Sequence, residues 1–245
     1  MNSTVQKTIY ANVLLAYPLD QEFTYCFNED QPIKIGSIAE VSFRNKNYLG
    51  VVISISNQTQ IKNKKIKSIQ KISNYLLSKK NIKFLEWVSS YNLIPRGLVL
   101  RMILPKSEGY FIKDDDSKNS QDLLSPKYLK LNETQSKARA KIERIFLQND
   151  YSTILLDGMP GSGKTEVYFD LIAKNISRKK QSLILFPEVS LTNEFIKRVE
   201  ERFGCAPDMW HRKITHNKKR QIIGRVISGK SQILIGARAA LFLPF

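Results

Sequence analysis

Cysteine, histidine, acidic residues and long apolar runs are what this sequence has least of. Its two cysteines, Cys26 and Cys205, stand far apart in 245 residues, whereas a disulfide framework or a structural zinc site needs several at short spacing. Neither is expected to ligate a metal, and both read as reduced thiols packed inside. With 11 Gly and 9 Pro the chain is neither collagen-like nor of low complexity. No stretch approaches the roughly 18 apolar residues of a membrane helix, and the first twenty residues lack a charged segment ahead of a long apolar one. The expectation is a cytoplasmic protein with no membrane contact. Acids are outnumbered, 22 Asp plus Glu against 39 Lys plus Arg, for a net charge of +17.

That excess is spread evenly. Residues 1–108 carry 15 basic against 7 acidic side chains and the remainder 24 against 15, so both halves are basic and neither is a mere basic tail. Such a field attracts polyanions and speeds their encounter, which makes nucleic acid the first partner to consider. The plain alternative is a chain rich in Lys, Asn and Ile throughout, with ammonium groups on every solvated face. A hydrophobic fraction of 42% is enough to build a core in one large or two ordinary domains.

The two ends of the chain are patterned differently. Short apolar or alternating runs at 11–17, 23–27, 38–43 and 48–55, separated by Pro, Gly, Asn and charged clusters, predict a small β-rich unit. Residues 44–47 read as the loop of a hairpin. A Lys-rich stretch, 62–71, follows, and helical spacing then appears over 81–91 and 96–104. Residues 109–130 are polar and acidic enough to be a linker. From Asn132 helices alternate with β-branched runs: a helix to about Leu147, a strand at 153–156, helices at 164–176, at 191–203 and up to Ile227, and strands at 182–186, near Met209, and at 232–235. Strand and helix in turn predict an α/β fold with a parallel sheet. The expected organisation is a compact β plus α module over 1–108, the linker over 109–130, and an α/β lobe over 131–245.

The chemistry sits in one motif. Gly158, Met159, Pro160, Gly161, Ser162, Gly163, Lys164 and Thr165 match the spacing G-x-x-x-x-G-K-[ST] without a mismatch. A run of backbone N–H groups ending at a helix N-terminus can wrap phosphate oxygens, and glycine lets the backbone come close. Lys164 is then placed for the β- and γ-phosphates of ATP and the Thr165 hydroxyl for the Mg²⁺ that bridges them, which makes these two the expected catalytic residues. The acidic pair that such an enzyme uses to hold Mg²⁺ and orient water is not evident: Asp157, Glu166, Asp170 and Glu188 are isolated.

With these residues in view the sequence resembles the PriA family of replication-restart helicases, also called primosomal protein N′. The resemblance lies in Leu156-Asp-Gly-Met-Pro-Gly-Ser-Gly-Lys-Thr-Glu-Val-Tyr168, Phe186-Pro-Glu-Val-Ser-Leu-Thr192 and Ile235-Gly-Ala-Arg-Ala-Ala-Leu-Phe-Leu-Pro-Phe245. Pro18-Leu-Asp-Gln-Glu-Phe-Thr-Tyr25, Gly50-Val-Val-Ile-Ser-Ile55 and Ile66-Lys-Ser-Ile69 are similar to that family's 3′-end-binding domain. The resemblance implies a RecA-like lobe in a superfamily 2, ATP-dependent, 3′ to 5′ DNA helicase. It implies binding to single strands, stalled forks and D-loops, with replication-restart proteins and single-strand-binding protein as partners. It further implies Gln135, in Leu131-Asn132-Glu-Thr-Gln135, as the adenine contact. Thr192 and Arg238 would hold the translocated strand, and Phe23, Tyr25 and Lys67 the DNA end.

Departures accompany it. Thr24 stands where an acid is usual, Arg44 where Gly is usual, and His211-Arg212-Lys213 where His-Ser-Gly is usual, which leaves His211 and His216 without a role. No winged helix fits between the two modules. The family's Asp-Glu-Glu-His motif, second lobe and zinc-binding cysteines are not in this sequence, so zinc is implied only beyond it. The expectation is an N-terminal portion that binds DNA and nucleotide but does not hydrolyse ATP alone. Two rivals stay open: a DNA-binding adaptor whose phosphate loop is a relic, and a small-molecule kinase, which would need an acceptor lid and no large positive charge.

Overall fold

The computed structural model describes residues 8–61, 66–104, 126–148, 151–187 and 193–245. Contacts divide the chain into two compact units, Met1–Asp114 with Ile214–Ile227 and Leu241–Phe245, and Asp115–Lys213 with Ser228–Ala240. Periodicity tells which face of a helix is buried but not what buries it. The grouping of residues 214–227 and 241–245 with the first unit was therefore not legible in the sequence.

In the first unit, β1 (Thr8–Leu15), β2 (Glu22–Asn28), β3 (Ser37–Phe43), β4 (Lys46–Ser56) and β5 (Ile69–Leu76) form an antiparallel sheet in the order β2-β1-β4-β3-β5. Alternation sends Ala11, Val13, Leu15, Tyr25, Phe27, Ala39, Val41 and Val52 into one core. The hairpin between β3 and β4 is tighter than the sequence suggests. Phe43 pairs with Lys46, leaving Arg44 and Asn45 as a two-residue turn with φ of 46° and 60°, the left-handed pair that matches strand twist. Strand β5 was hidden in the sequence by Lys71 and its polar residues.

The sheet curls until its edges meet. The Cys26 N–H donates to the Lys67 carbonyl at 3.0 Å, and a parallel bridge joins Cys26 to Ser68 at the entry to β5. Helices α1 (Lys79–Asn92) and α2 (Arg96–Ile103) follow. Ser78 and Asn81 form a reciprocal capping box at the start of α1. At α2 the cap comes from far along the chain: Asp20 accepts from the Arg96 N–H at 3.0 Å. That bond, more than the nearby guanidinium, holds the Asp20 carboxyl below its ordinary range. Gly97 is required here because a Cβ would lie 1.9 Å from the Tyr17 carbonyl oxygen.

The second unit contains α3 (Glu133–Leu147), α4 (Lys164–Ser177), β6 (Ser182–Leu185), α5 (Asn193–Phe203), β7 (Asp208–Trp210) and β8 (Ile233–Gly236). Its sheet is parallel, in the order β6-β8-β7. Phe169, Ile172 and Ile176 of α4, Val199 and Phe203 of α5, and Ile233 and Ile235 of β8 make the core, each large side chain contributing roughly 1.5–3 kcal/mol. The remaining helix, α6 (His216–Ile227), lies between β7 and β8 in the chain and buries Ile222, Ile223 and Val226. The mixed architecture, an antiparallel sheet followed by a parallel sheet with helices, is the one expected.

One expected strand is absent. Residues 153–156 carry no strand, and the segment is exposed, with Tyr151 at 94% and Leu155 at 90%. β-branched composition favours an extended chain but does not make a strand: the ladder needs a hydrogen-bonded neighbour, and none of the described strands pairs with this segment.

Candidate functional site

Helix α4 begins at Lys164 behind Gly163, whose φ of 79° is left-handed. The first N–H groups of any helix have no partner within it, so the end of the loop at 158–165 presents donors ahead of the helix. Lys164 Nζ is folded onto the loop itself, donating to the carbonyls of Gly158 and Met159, the latter at 3.1 Å. An ammonium group held only by carbonyl oxygens of its own loop can be recruited by a phosphate, a stronger, charged acceptor. The Tyr168 hydroxyl donates to Thr165 Oγ1 at 3.0 Å. That bond occupies one lone pair and leaves the other for a metal ion. The donor set therefore fits a nucleotide triphosphate with Mg²⁺, with Gly158–Thr165 around the phosphates and Thr165 at the metal.

Gln135 is brought to this loop by a register that the sequence reading missed. Helices α3 and α4 are pinned by two ion pairs four residues apart on each: Arg139 to Asp170 at 3.3 Å and Lys174 to Glu143 at 2.6 Å. Continuing the α3 stripe back four residues reaches Gln135. Its Nε2 donates to the Ser162 carbonyl at 3.2 Å, while its Oε1 accepts from the Asn132 N–H at 3.0 Å. A Cβ on Gly163 would stand 2.3 Å from Gln135 Nε2. The hydrogen bond from Lys174 keeps the Glu143 carboxyl below its ordinary range. The sequence signal was the spacing of 135, 139 and 143 against 170 and 174. Glu166 is likewise fixed, by Arg198 at 2.5 Å.

Arg238 is exposed at the start of a short 3₁₀ helix (Arg238–Phe242) directly after β8. Thr192 and Glu188 lie outside the described residues, as does most of the expected linker. His211 accepts from the Lys213 N–H at 3.2 Å in a local turn. Cys26 and Cys205 form no disulfide and are half-buried rather than fully packed inside as expected. No group of three or more metal-ligating side chains occurs among the described residues.

In the first unit Phe23 and Tyr25 lie on one face of β2, two residues apart. They differ in access. Tyr25 is 4% exposed, its hydroxyl donates to the Ser42 carbonyl at 3.2 Å, and burial pushes its pKa up to about 12. Its ring offers no face to a base; it fixes the strand that carries Phe43. Phe23 is half-buried against Phe43, with ring centroids 4.6 Å apart. Tyr17 and Tyr48 complete the cluster, at 5.6 Å and 6.2 Å from Phe43. The Arg44 guanidinium lies over Phe43 at 5.3 Å. Closure of the sheet edges delivers Lys67, whose Nζ donates to Ser42 Oγ at 3.4 Å. Thr24 is on the opposite face, donating to Asn12 Oδ1 at 2.8 Å. Tyr17, Phe43 and Tyr48 were missed in the sequence; alternation along β1, β3 and β4 was the available signal.

An aromatic cluster rimmed by Arg44 and Lys67 suits a nucleic-acid end, and the loop before α4 suits a triphosphate. Comparison with known proteins agrees in both halves. The family of the PriA 3′DNA-binding domain (3′BD) matches residues 12–105, and the DEAD/DEAH box helicase family matches residues 132–245. The replication restart protein PriA of Rickettsia conorii is 33% identical over 230 residues, covering 94% of this chain and 34% of that protein. That of Helicobacter pylori is 27% identical over 218 residues, covering 89% of this chain and 32% of that protein. In Bacillus subtilis the similarity, 32%, extends over 117 residues, 48% of this chain and 14% of that protein. The chain thus spans about a third of the length of the relatives it matches along most of its own. A 3′ DNA-binding domain followed by a DEAD/DEAH box helicase domain places this chain with the PriA replication restart proteins.

Proposed function

We propose that this chain supplies the DNA-end grip and the nucleotide loop of an ATP-dependent DNA helicase that restarts replication at stalled forks and D-loops, moving 3′ to 5′. Its place is the cytoplasm, beside single-strand-binding protein and other restart proteins, as the resemblance implies. The expected domain limits are 1–108 and 131–245, joined by the linker. The observation that carries the reading is Lys164 folded onto the carbonyls of Gly158 and Met159: phosphate oxygens offer it a better partner.

Bound nucleotide supplies a phosphoanhydride whose terminal transfer to water drives the motor. The residues here grip and orient it. The N–H groups of the loop and the α4 terminus cradle the phosphates, Lys164 neutralises charge, Thr165 holds Mg²⁺ and Gln135 holds the adenine edge. Phe23 stacks a terminal base, Lys67 and Arg44 meet its phosphates, and Arg238 and Thr192 hold the translocated backbone. Tyr25 acts at one remove, through Ser42. Among the described residues no carboxylate stands in a pair suited to activate water, so the chain alone binds but does not turn over ATP.

Phosphate release with and without single-stranded DNA tests this. Binding of Mg-ATP and of forked DNA with background phosphate release is expected; robust turnover abolished by Lys164→Ala would overturn the inactive-fragment reading. The exposed segment 151–157 favours a second reading, an adaptor with a relic loop. Fork affinity indifferent to ATP, together with nucleotide binding too weak to detect, would select the adaptor.

A further inference from the structure

Helix α1 carries a feature that neither the nucleotide loop nor the Phe23 cluster uses. Lys80, Phe84, Trp87 and Tyr91 recur at i, i+4, i+7 and i+11 and so share one stripe of the helix. The stripe does not face the core, which takes Leu85, Val88 and Ser89. Trp87 is 58% exposed and Tyr91 74%. The rings form a column: Phe84 and Trp87 lie 6.2 Å apart at 23°, and Trp87 and Tyr91 5.3 Å apart at 20°. Phe242 closes the Phe84 end at 5.7 Å. The Tyr91 end is open.

Charge selects the partner. Lys79, Lys80 and Lys83 are exposed on the same helix, and none is among the ion-paired lysines Lys71, Lys137 and Lys174 of the described residues. Glu86 is the one acid on α1 and lies off the stripe. Near-parallel aromatic faces beside unpaired lysines suit a single strand, in which every base offers a π-face and every linkage a negative charge. A protein partner with an apolar patch would use the rings but leave three ammonium groups uncompensated.

We propose that the outward stripe of α1 is a contact for single-stranded DNA separate from the Phe23 cluster, with an unpaired base stacking on the Trp87–Tyr91 column and Lys79, Lys80 and Lys83 holding its phosphates. This rests on the DNA-binding reading of the chain. Stacking reads neither sequence nor terminus, so the contact is indifferent to a blocked 3′ end.

The probe is oligo-dT carrying a 3′-phosphate, titrated into the full chain. Three results are expected. Tryptophan fluorescence is quenched in the wild type. Trp87→Phe abolishes the quench but keeps affinity, because the ring still stacks. Trp87→Ala with Tyr91→Ala weakens affinity about 5- to 150-fold, the range for one stacked base. Exposure makes both side chains replaceable without loss of fold, and an unchanged melting temperature verifies it; should the double variant unfold, the Trp87→Phe comparison decides. No quench, or double-variant affinity within twofold of wild type, overturns the proposal. A wild-type chain that self-associates through this face, becoming monomeric in the double variant with DNA affinity unchanged, also overturns it and assigns the face to a second copy. A wild type that binds neither blocked nor free-ended DNA would instead sink the broader DNA-binding reading.

Discussion

The two candidate sites are supported in opposite ways. The Phe23 cluster rests on strands joined in one continuous ladder: β2 pairs with β1, β1 with β4, β4 with β3, and a single bridge from Cys26 to Ser68 ties the edges. The loop at 158–165 is anchored on one side by α4 and through Gln135 to α3, while the chain entering it is exposed and unpaired. One site is held by backbone, the other by side chains. A backbone-held site tolerates loss of a single partner, whereas a side-chain-held one depends on each.

The comparison can be broken most directly by hydrogen exchange. Amides of β1 and β4 are expected to exchange at least a thousandfold more slowly than those of 151–157, since core ladders open only near global unfolding; equal protection would dissolve the contrast. A cross-test sharpens it next. Lys164→Ala should weaken Mg-nucleotide binding roughly 10- to 150-fold, the range for a charged hydrogen bond, and leave 3′-end binding intact. Phe23→Ala should do the reverse, lowering affinity for a free 3′ end about 5- to 30-fold. Loss of both activities in either variant would mean the sites are one.

The smallest effect is acid sensitivity. The Glu143 carboxyl is held below its ordinary value of 4.5 by the hydrogen bond from Lys174. A depressed folded pKa gives stability that is full above the unfolded value and fades as pH falls through the folded one. The α3–α4 pairing should therefore weaken only below about pH 4.5, and Glu143→Gln should remove about 0.5 kcal/mol of stability for this partly exposed pair. An acid melting curve unchanged by the substitution would show the pair to be inert.

Most strands and helices were legible because alternation and 3.6-residue spacing record burial directly. Strand β5 was not, because Lys71, Ser73 and Asn74 interrupt its apolar pattern while pairing with β3 supplies its ladder. The segment 153–156 failed the other way, strand-like in composition without a partner. At the sites, the loop motif was legible as a fixed local spacing. The reach of Gln135, the burial of Tyr25 and the gathering of Tyr17, Phe43 and Tyr48 depend on which elements meet, and local spacing does not contain that.

Closure of the first sheet also governs how the molecule behaves in a tube. The bridge from Cys26 to Ser68 interrupts the outer edge of β2, so neighbouring copies meet a shorter row of free N–H and C=O groups there. The parallel sheet of the second unit ends on β6 and β7, four and three residues long, so its adhesive edges are short. With +17 of net charge, copies repel until added salt shortens the Debye length to about 10 Å or less. Storage at low ionic strength thus favours a clear solution, and the same salt that strips away polyanions invites the sticky edges to find each other.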